Sequence, residues 1–190
     1  CMAAFTPEAL VFCSALPKCE LHAHLNGSIK DSTIRELVAQ DTGGGALVSM
    51  QELEDVLSKR SQGLQECFAI FDIIHRHSTR HSSITRIATE VIMDFAHDNV
   101  LHLELRTTPK ARPEHAMTKV SYVQAVLAGM KAAKSKLDET QRFMLVRLIL
   151  SIDRREEAEA AMETVQLAIS LKDQGVVGID LSGNPKLGSW

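Results

Sequence analysis

Leu16-Pro17-Lys18-Cys19-Glu20-Leu21-His22-Ala23-His24-Leu25-Asn26-Gly27-Ser28 is the stretch on which the reading of this chain turns. Side chains alternate faces along a β-strand. A strand over 19–25 therefore puts Glu20, His22 and His24 on one face and Leu21, Ala23 and Leu25 on the other. Two imidazoles aimed off a strand with an apolar back begin a metal site, since neutral imidazole nitrogen is a common zinc ligand. Asn26-Gly27 is a turn signal, so His24 stands near the strand's C-terminal end. In a parallel α/β barrel that end carries the chemistry. An isolated His-x-His is more often two partly exposed histidines; the apolar alternation and the flanking residues favour the metal.

Outward from this strand the chain alternates helix and strand. Thr6 caps a short helix with Pro7 at its first position. Ile34, Leu37 and Val38, then Leu53, Val56 and Leu57, then Phe68, Phe71 and Ile74 recur at helical spacing, with a Gly-rich break over 41–45. Ser82 or Ser83 is expected to cap a long helix carrying Ile87, Val91 and Phe95. Further strands are expected over 101–107, 145–153 and 175–183, separated by helices over 122–137 and 157–172. The strand at 145–153 is nearly all apolar, as for a strand buried on both faces. Such a βαβαβ series implies a parallel sheet with right-handed crossovers.

Polar groups gather where each strand ends: His22, His24 and Asn26; Arg106 to Lys110; Asp153 to Arg155; Asp180, Ser182 and Gly183. A doubly wound sheet binds at one switch point, whereas polar ends on every strand fit a barrel mouth. A (β/α)8 barrel takes ~200 residues at the least. The expected fold is thus an α/β TIM (β/α)8 barrel, cut to about its first four strands.

Composition narrows the classes of function. The chain is 45% hydrophobic and 24% charged, with a net charge of −3 and a pI near 6.3. These values are ordinary for a globular protein and offer no electrostatic footprint for nucleic acid. Aromatic residues make up 4%, too few for base-stacking platforms. No apolar stretch is long enough to span a membrane. Signal- and transit-peptide features are lacking, and Cys1 before Met2 reads as an untrimmed fragment end. Cys1, Cys13, Cys19 and Cys67 have no C-x-x-C spacing and are expected to be reduced in a cytosolic protein.

The 16–29 run strongly resembles the first-strand signature of the adenosine and AMP deaminases, which are amidohydrolase-type metal enzymes. Leu-Glu-Leu-Arg-Thr-Thr-Pro-Lys at 103–110, Ser-Ile-Asp-Arg-Arg at 151–155 and Gly-Ile-Asp-Leu-Ser-Gly-Asn-Pro at 178–185 resemble the adenosine deaminase-like subgroup, plant members above all. The resemblance implies a barrel of the metal-dependent hydrolase type, with residues 1–190 as its N-terminal half, and a hydrolytic deaminase of N6-methyl-AMP or a related adenine nucleotide. Activated water attacks C6 of the purine, a carboxylic acid protonates N1, and an amine or ammonia leaves to give IMP. It implies Zn2+ as cofactor, with His22 and His24 as two of the metal ligands. The family's remaining ligands and its catalytic acid come from later strands, so no catalytic residue is expected in this segment, and the chain alone is expected to be inert.

The resemblance further implies substrate contacts from His24, Asn26, His75, Thr107, Thr108, Pro109, Lys110, Asp153 and Gly183. Adenosine deaminases proper carry Asp where this chain has Asn26. A carboxylate ~4 Å from a phosphate costs ~4 kcal/mol even at an effective dielectric near 20, so a neutral amide favours a nucleotide over a nucleoside. Thr107, Thr108 and Lys110 supply hydroxyls and a cation for that phosphate. The expected partner is a small purine nucleotide, with neither nucleic acid nor membrane and with a monomeric parent enzyme.

Other polar residues carry plainer expectations. Glu104 and Arg106, two apart on one strand face, are expected to form a structural ion pair. Asp153 either meets substrate or tethers Arg154 and Arg155. Asp180 is expected to order the barrel interior, and Gly183 to allow close approach of the backbone. His77 and His81 are expected in solvent, and His97, His102 and His115 without partners. Two other readings are a non-catalytic half-barrel serving as an interaction or regulatory protein, and another amidohydrolase-type metal hydrolase.

Overall fold

The computed structural model describes residues 6–40, 48–59 and 64–183, with the backbone alone over 64–68. Among these residues four strands, β1 (Lys18–His24), β2 (Val100–Thr107), β3 (Leu145–Asp153) and β4 (Val176–Ser182), form one parallel sheet in the order β1-β2-β3-β4. Parallel neighbours need crossover connections, and helices supply them. Helices α2 (Asp31–Gln40), α3 (Met50–Lys59), α4 (Leu64–His77) and α5 (His81–His97) lie between β1 and β2. Helix α6 (Lys119–Glu139) joins β2 to β3, and α7 (Ala158–Ser170) joins β3 to β4. A short α1 (Pro7–Ala15) precedes β1, and Thr6 Oγ1 caps it by accepting from Ala9 N at 3.2 Å.

The strands turn Leu103, Leu105, Leu148 and Leu150 into one core with Ile84, Ile87 and Val91 of α5 and Tyr122 and Val126 of α6. This apolar layer leaves the opposite sheet face to polar groups, including Arg106, Ser151 and Asp180. Register places His24 opposite Arg106, Arg106 opposite Ile149, and Ser151 opposite Asp180. Paired residues of parallel strands share a face, so one array crosses all four strands.

Several sequence expectations need correction. In β1, Ala23 and Leu25 are buried but Leu21 is 55% exposed. The cause is an irregularity: Glu20 pairs with Leu103 but Ala23 with Leu105, so β1 carries one extra residue there and strict alternation breaks. Glu20 thus does not share a regular face with His24. The middle of β3 is buried, while Leu145, Val146 and Arg147 are half-buried. Neither Ser82 nor Ser83 caps α5. Its N-cap is Arg80, without a side-chain cap, and the helix begins at His81, whose Nε2 lies 2.8 Å from Ser121 Oγ of α6. A tertiary contact thus sets this boundary.

Helix α6 starts three residues before the expected position because Thr118 and Ser121 form a reciprocal capping box. Cys13 and Cys19 are free and exposed. The 41–45 break, Cys1, Asn184, Pro185 and the side chains of Cys67 and Phe68 lie outside the described residues. Among those described, no helix is long and apolar enough to cross a membrane.

Candidate active site

The C-terminal ends of the strands open onto a cavity of about 510 Å³. Parallel register brings every strand end to the same edge of the sheet, so residues as far apart in sequence as His22 and Gly183 line one cavity. His22, His24, Asn26, His75, Thr107, Thr108, Lys110, Asp153 and Gly183 all line the cavity. Pro109 is buried and is not part of its lining.

The two β1 histidines are exposed, with ring centroids 5.3 Å apart and planes tilted by 44°. Loss of water around the His24 ring lowers its pKa, and the positive charges of His22 and Arg106 push the same way. A neutral imidazole is the form a metal requires. Among the described residues no group of three or more His, Cys, Asp or Glu side chains is placed to hold a metal. His22 and His24 fit zinc as two ligands, one short of the three that catalytic sites use.

Helix α4 contributes one wall through Phe71, Asp72 and His75. Burial, followed by the charges of Lys110, Arg112 and Arg155, drives the His75 pKa down to about 4. At neutral pH the ring is an uncharged hydrogen-bonding group. The Lys110 pKa is also lowered, first by burial and then by Arg155 and Arg112, against the pull of Asp153. Lys110, just after β2, and Arg106, within it, both reach this cavity.

Asp153 is tied to Arg155. Its Oδ1 accepts from Arg155 Nε at 2.9 Å and from Arg155 N at 3.0 Å, and its Oδ2 accepts from Arg155 Nη2 at 2.5 Å. These bonds hold the Asp153 carboxyl below the usual carboxylate range. Gly183 has φ +106°, and a Cβ there would meet Asp153 Oδ1 at 2.9 Å. The position needs glycine both for its left-handed backbone and for the close approach.

Other polar residues depart from their sequence expectations. Glu104 does not pair with Arg106; Arg106 reaches across β3 to Asp180, 74 positions away, while Glu104 lies 3.5 Å from His102. The Thr107 hydroxyl is bonded at 2.7 Å to Tyr122 in the core, so one of its hydrogen-bonding positions is already taken where Thr107 meets the cavity. Thr108 Oγ1 stands 3.4 Å from Ser182 Oγ. His77 is buried at 5% exposure, and His81 is held by Ser121; neither is a solvated histidine. His97 Nδ1 lies 3.2 Å from Met93 O, so it too has a partner. His115 is exposed.

Sequence reasoning missed Phe71 and Asp72 as parts of the cavity. The tether from Asp153 to Arg155 is one of the two roles the sequence left open for Asp153.

The adenosine deaminase family model matches residues 17–188. The N6-mAMP deaminase of Arabidopsis thaliana is 47% identical over 194 residues, covering 93% of this chain and 54% of that relative. The N6-methyl-AMP deaminase of Homo sapiens is 39% identical over 181 residues, covering 93% and 49%. Arabidopsis ADAL complexed with IMP superposes with a TM-score of 0.86 at 50% identity, covering 94% of this chain and 53% of that one. An amidohydrolase from Burkholderia ambifaria with bound zinc shares the fold at 24% identity, with a TM-score of 0.80 over 97% of this chain and 49% of that one. The four-stranded sheet therefore matches about half of an amidohydrolase TIM barrel. The chain spans about half the length of the curated relatives it matches.

Proposed function

This chain belongs to the adenosine deaminase family, and from that premise we propose that it supplies two metal ligands and much of the nucleotide-binding wall of a hydrolytic deaminase. The proposed substrate is N6-methyl-AMP or a related adenine nucleotide, and the product is IMP. The observation that carries this reading is the convergence of His22, His24, Asn26, Thr108, Lys110 and Gly183 on one cavity. Solved Arabidopsis ADAL complexes with IMP and with GMP support the nucleotide as ligand class.

His22 and His24 hold Zn2+ together with ligands from outside the described residues. The chemistry such an ion supplies is Lewis-acid activation of water. Lys110 neutralises a phosphate, and Thr108 offers it a hydroxyl. Asn26, whose Oδ1 is buried without a hydrogen-bond partner among the described residues, accepts from the ligand without adding negative charge. His75, kept neutral, binds without competing for protons. Arg155 holds the Asp153 carboxylate in one orientation at the rim, and Gly183 lets the backbone approach.

Titration of the chain with IMP and with inosine, followed by amide chemical shifts, tests the proposal. IMP is expected to bind more tightly and to shift Thr108 and Lys110. Equal affinities for the two ligands would sink it.

A further inference from the structure

The peptide joining Leu21 to His22 is held by two side chains instead of by the sheet. It lies in the irregular step of β1, between Glu20 opposite Leu103 and Ala23 opposite Leu105. An extra residue in one strand locally disrupts the ladder and re-aims a side chain. Here the Leu21 carbonyl accepts from Nη2 of Arg106 at 2.7 Å. The N–H of His22 donates to Oε1 of Glu20 at 2.7 Å. A cation and a carboxylate thus grip opposite ends of one peptide plane, and that plane sets ψ of Leu21 and φ of His22.

Arg106 is itself held fast. It stands opposite His24 in the register, its side chain is 9% exposed, and its Nη1 is paired with Asp180 of β4. Asp180 is therefore the far anchor of a strut that runs from β4 to the backbone just before His22.

We propose that Glu20 and Arg106 are positioning residues for His22, clamping the Leu21–His22 peptide so that the His22 ring is presented beside His24 for metal binding. The inference rests on reading His22 and His24 as metal ligands. A purely structural Arg106–Asp180 pair would have no need of the Leu21 carbonyl, and it would leave Glu20 without a role.

The test uses the 190-residue chain and two readouts: hydrogen exchange at the His22 amide, and affinity for Co2+ as the metal probe. Glu20→Ala is expected to speed exchange about tenfold, as for loss of one ordinary hydrogen bond. It is expected to weaken Co2+ binding about tenfold, in line with removal of groups that orient a metal ligand. Glu20→Gln, which keeps an acceptor oxygen, should restore both. Arg106→Lys, whose ammonium cannot bridge Leu21 O and Asp180 as the fork does, should fall between parent and Glu20→Ala. If that variant does not fold, the Glu20 pair carries the test.

Unchanged exchange in Glu20→Ala would overturn the clamp. Faster exchange with unchanged Co2+ affinity would overturn the positioning role while leaving the metal reading intact. A parent chain that shows the protected amide but lacks even the weak Co2+ binding expected of two imidazoles at His22 and His24 would overturn the metal reading, and the positioning role with it.

Discussion

Thr107 Oγ1 and Tyr122 Oη lie 2.7 Å apart, both buried, in the layer where the end of β2 meets α6. The bond ties the strand end to the helix behind it. Burial pushes the Tyr122 phenol up to about 12, with the Thr107 bond pulling the other way, so the phenol stays neutral across the working range. Tyr122→Phe leaves a buried hydroxyl unpaired and should cost about 1–3 kcal/mol. Thr107→Val in that background should recover part of the loss. Urea unfolding of the single and double variants reads the coupling; additive losses would contradict it.

Gly129 tests how tightly α5 and α6 are packed. A Cβ there would meet both Ala88 Cβ and Thr85 O at 2.6 Å. Glycine to alanine in a helix interior ordinarily gains about 1 kcal/mol. A backbone carbonyl cannot move aside as a flexible side chain can, so overpacking of about 1–3 kcal/mol should win. Gly129→Ala is expected to lower the urea midpoint, and a raised midpoint would refute the close approach.

His75 gives the fold a pH dependence of known sign. Its folded pKa of about 4 lies below the ordinary value of 6.5, chiefly through burial. Between those values the unfolded chain binds more protons than the folded one. The stability is fully present above pH 6.5 and is lost as pH falls through about 4. The expected loss is roughly 2–3 kcal/mol. Stability of the parent and of His75→Asn, compared at pH 7.5 and pH 4.5, isolates this contribution. The variant should be the less acid-sensitive of the two, and equal slopes would rule His75 out as the cause.

Asn26 is expected to separate nucleotide from nucleoside. Asn26→Asp places a carboxylate in the cavity, and one like-charge contact at ~4 Å costs on the order of 1–4 kcal/mol once softened by solvent. Affinity for IMP should therefore fall at least about fivefold more than affinity for inosine. If Asn26 merely finishes the strand in a turn, the two ligands will weaken together.

The buried Lys119 tests the joint between α6 and α7. Its ammonium donates to Ala160 O at 2.8 Å and Thr164 Oγ1 at 3.1 Å, and lies 3.3 Å from Glu156. Removing one partner of a buried pair typically costs about 3–5 kcal/mol. Lys119→Ala should lose about 3 kcal/mol in thermal or urea unfolding, and a loss under about 0.5 kcal/mol would show the joint to be idle.

Read alone, the sequence determined the alternation of strands and helices, the ends of all four strands to within a residue and the gathering of polar groups at one edge of the sheet. Those features follow from local periods: two for a strand, 3.6 for a helix, and turn residues between them. His22 and His24 were legible for the same reason, being close neighbours in one strand. Tertiary structure alone decided the rest. Arg106 found Asp180 instead of Glu104 because register and two crossovers bring β4 within reach of β2. Thr107 met Tyr122, and His81 met Ser121, because packing against α6 brings partners to that hydroxyl and that ring nitrogen. Glu20 left the histidine face because one extra residue in β1 interrupts the alternation. Local periodicity says which way a side chain should point. Which partner it meets depends on how distant segments are brought into register, and that is a property of the folded chain.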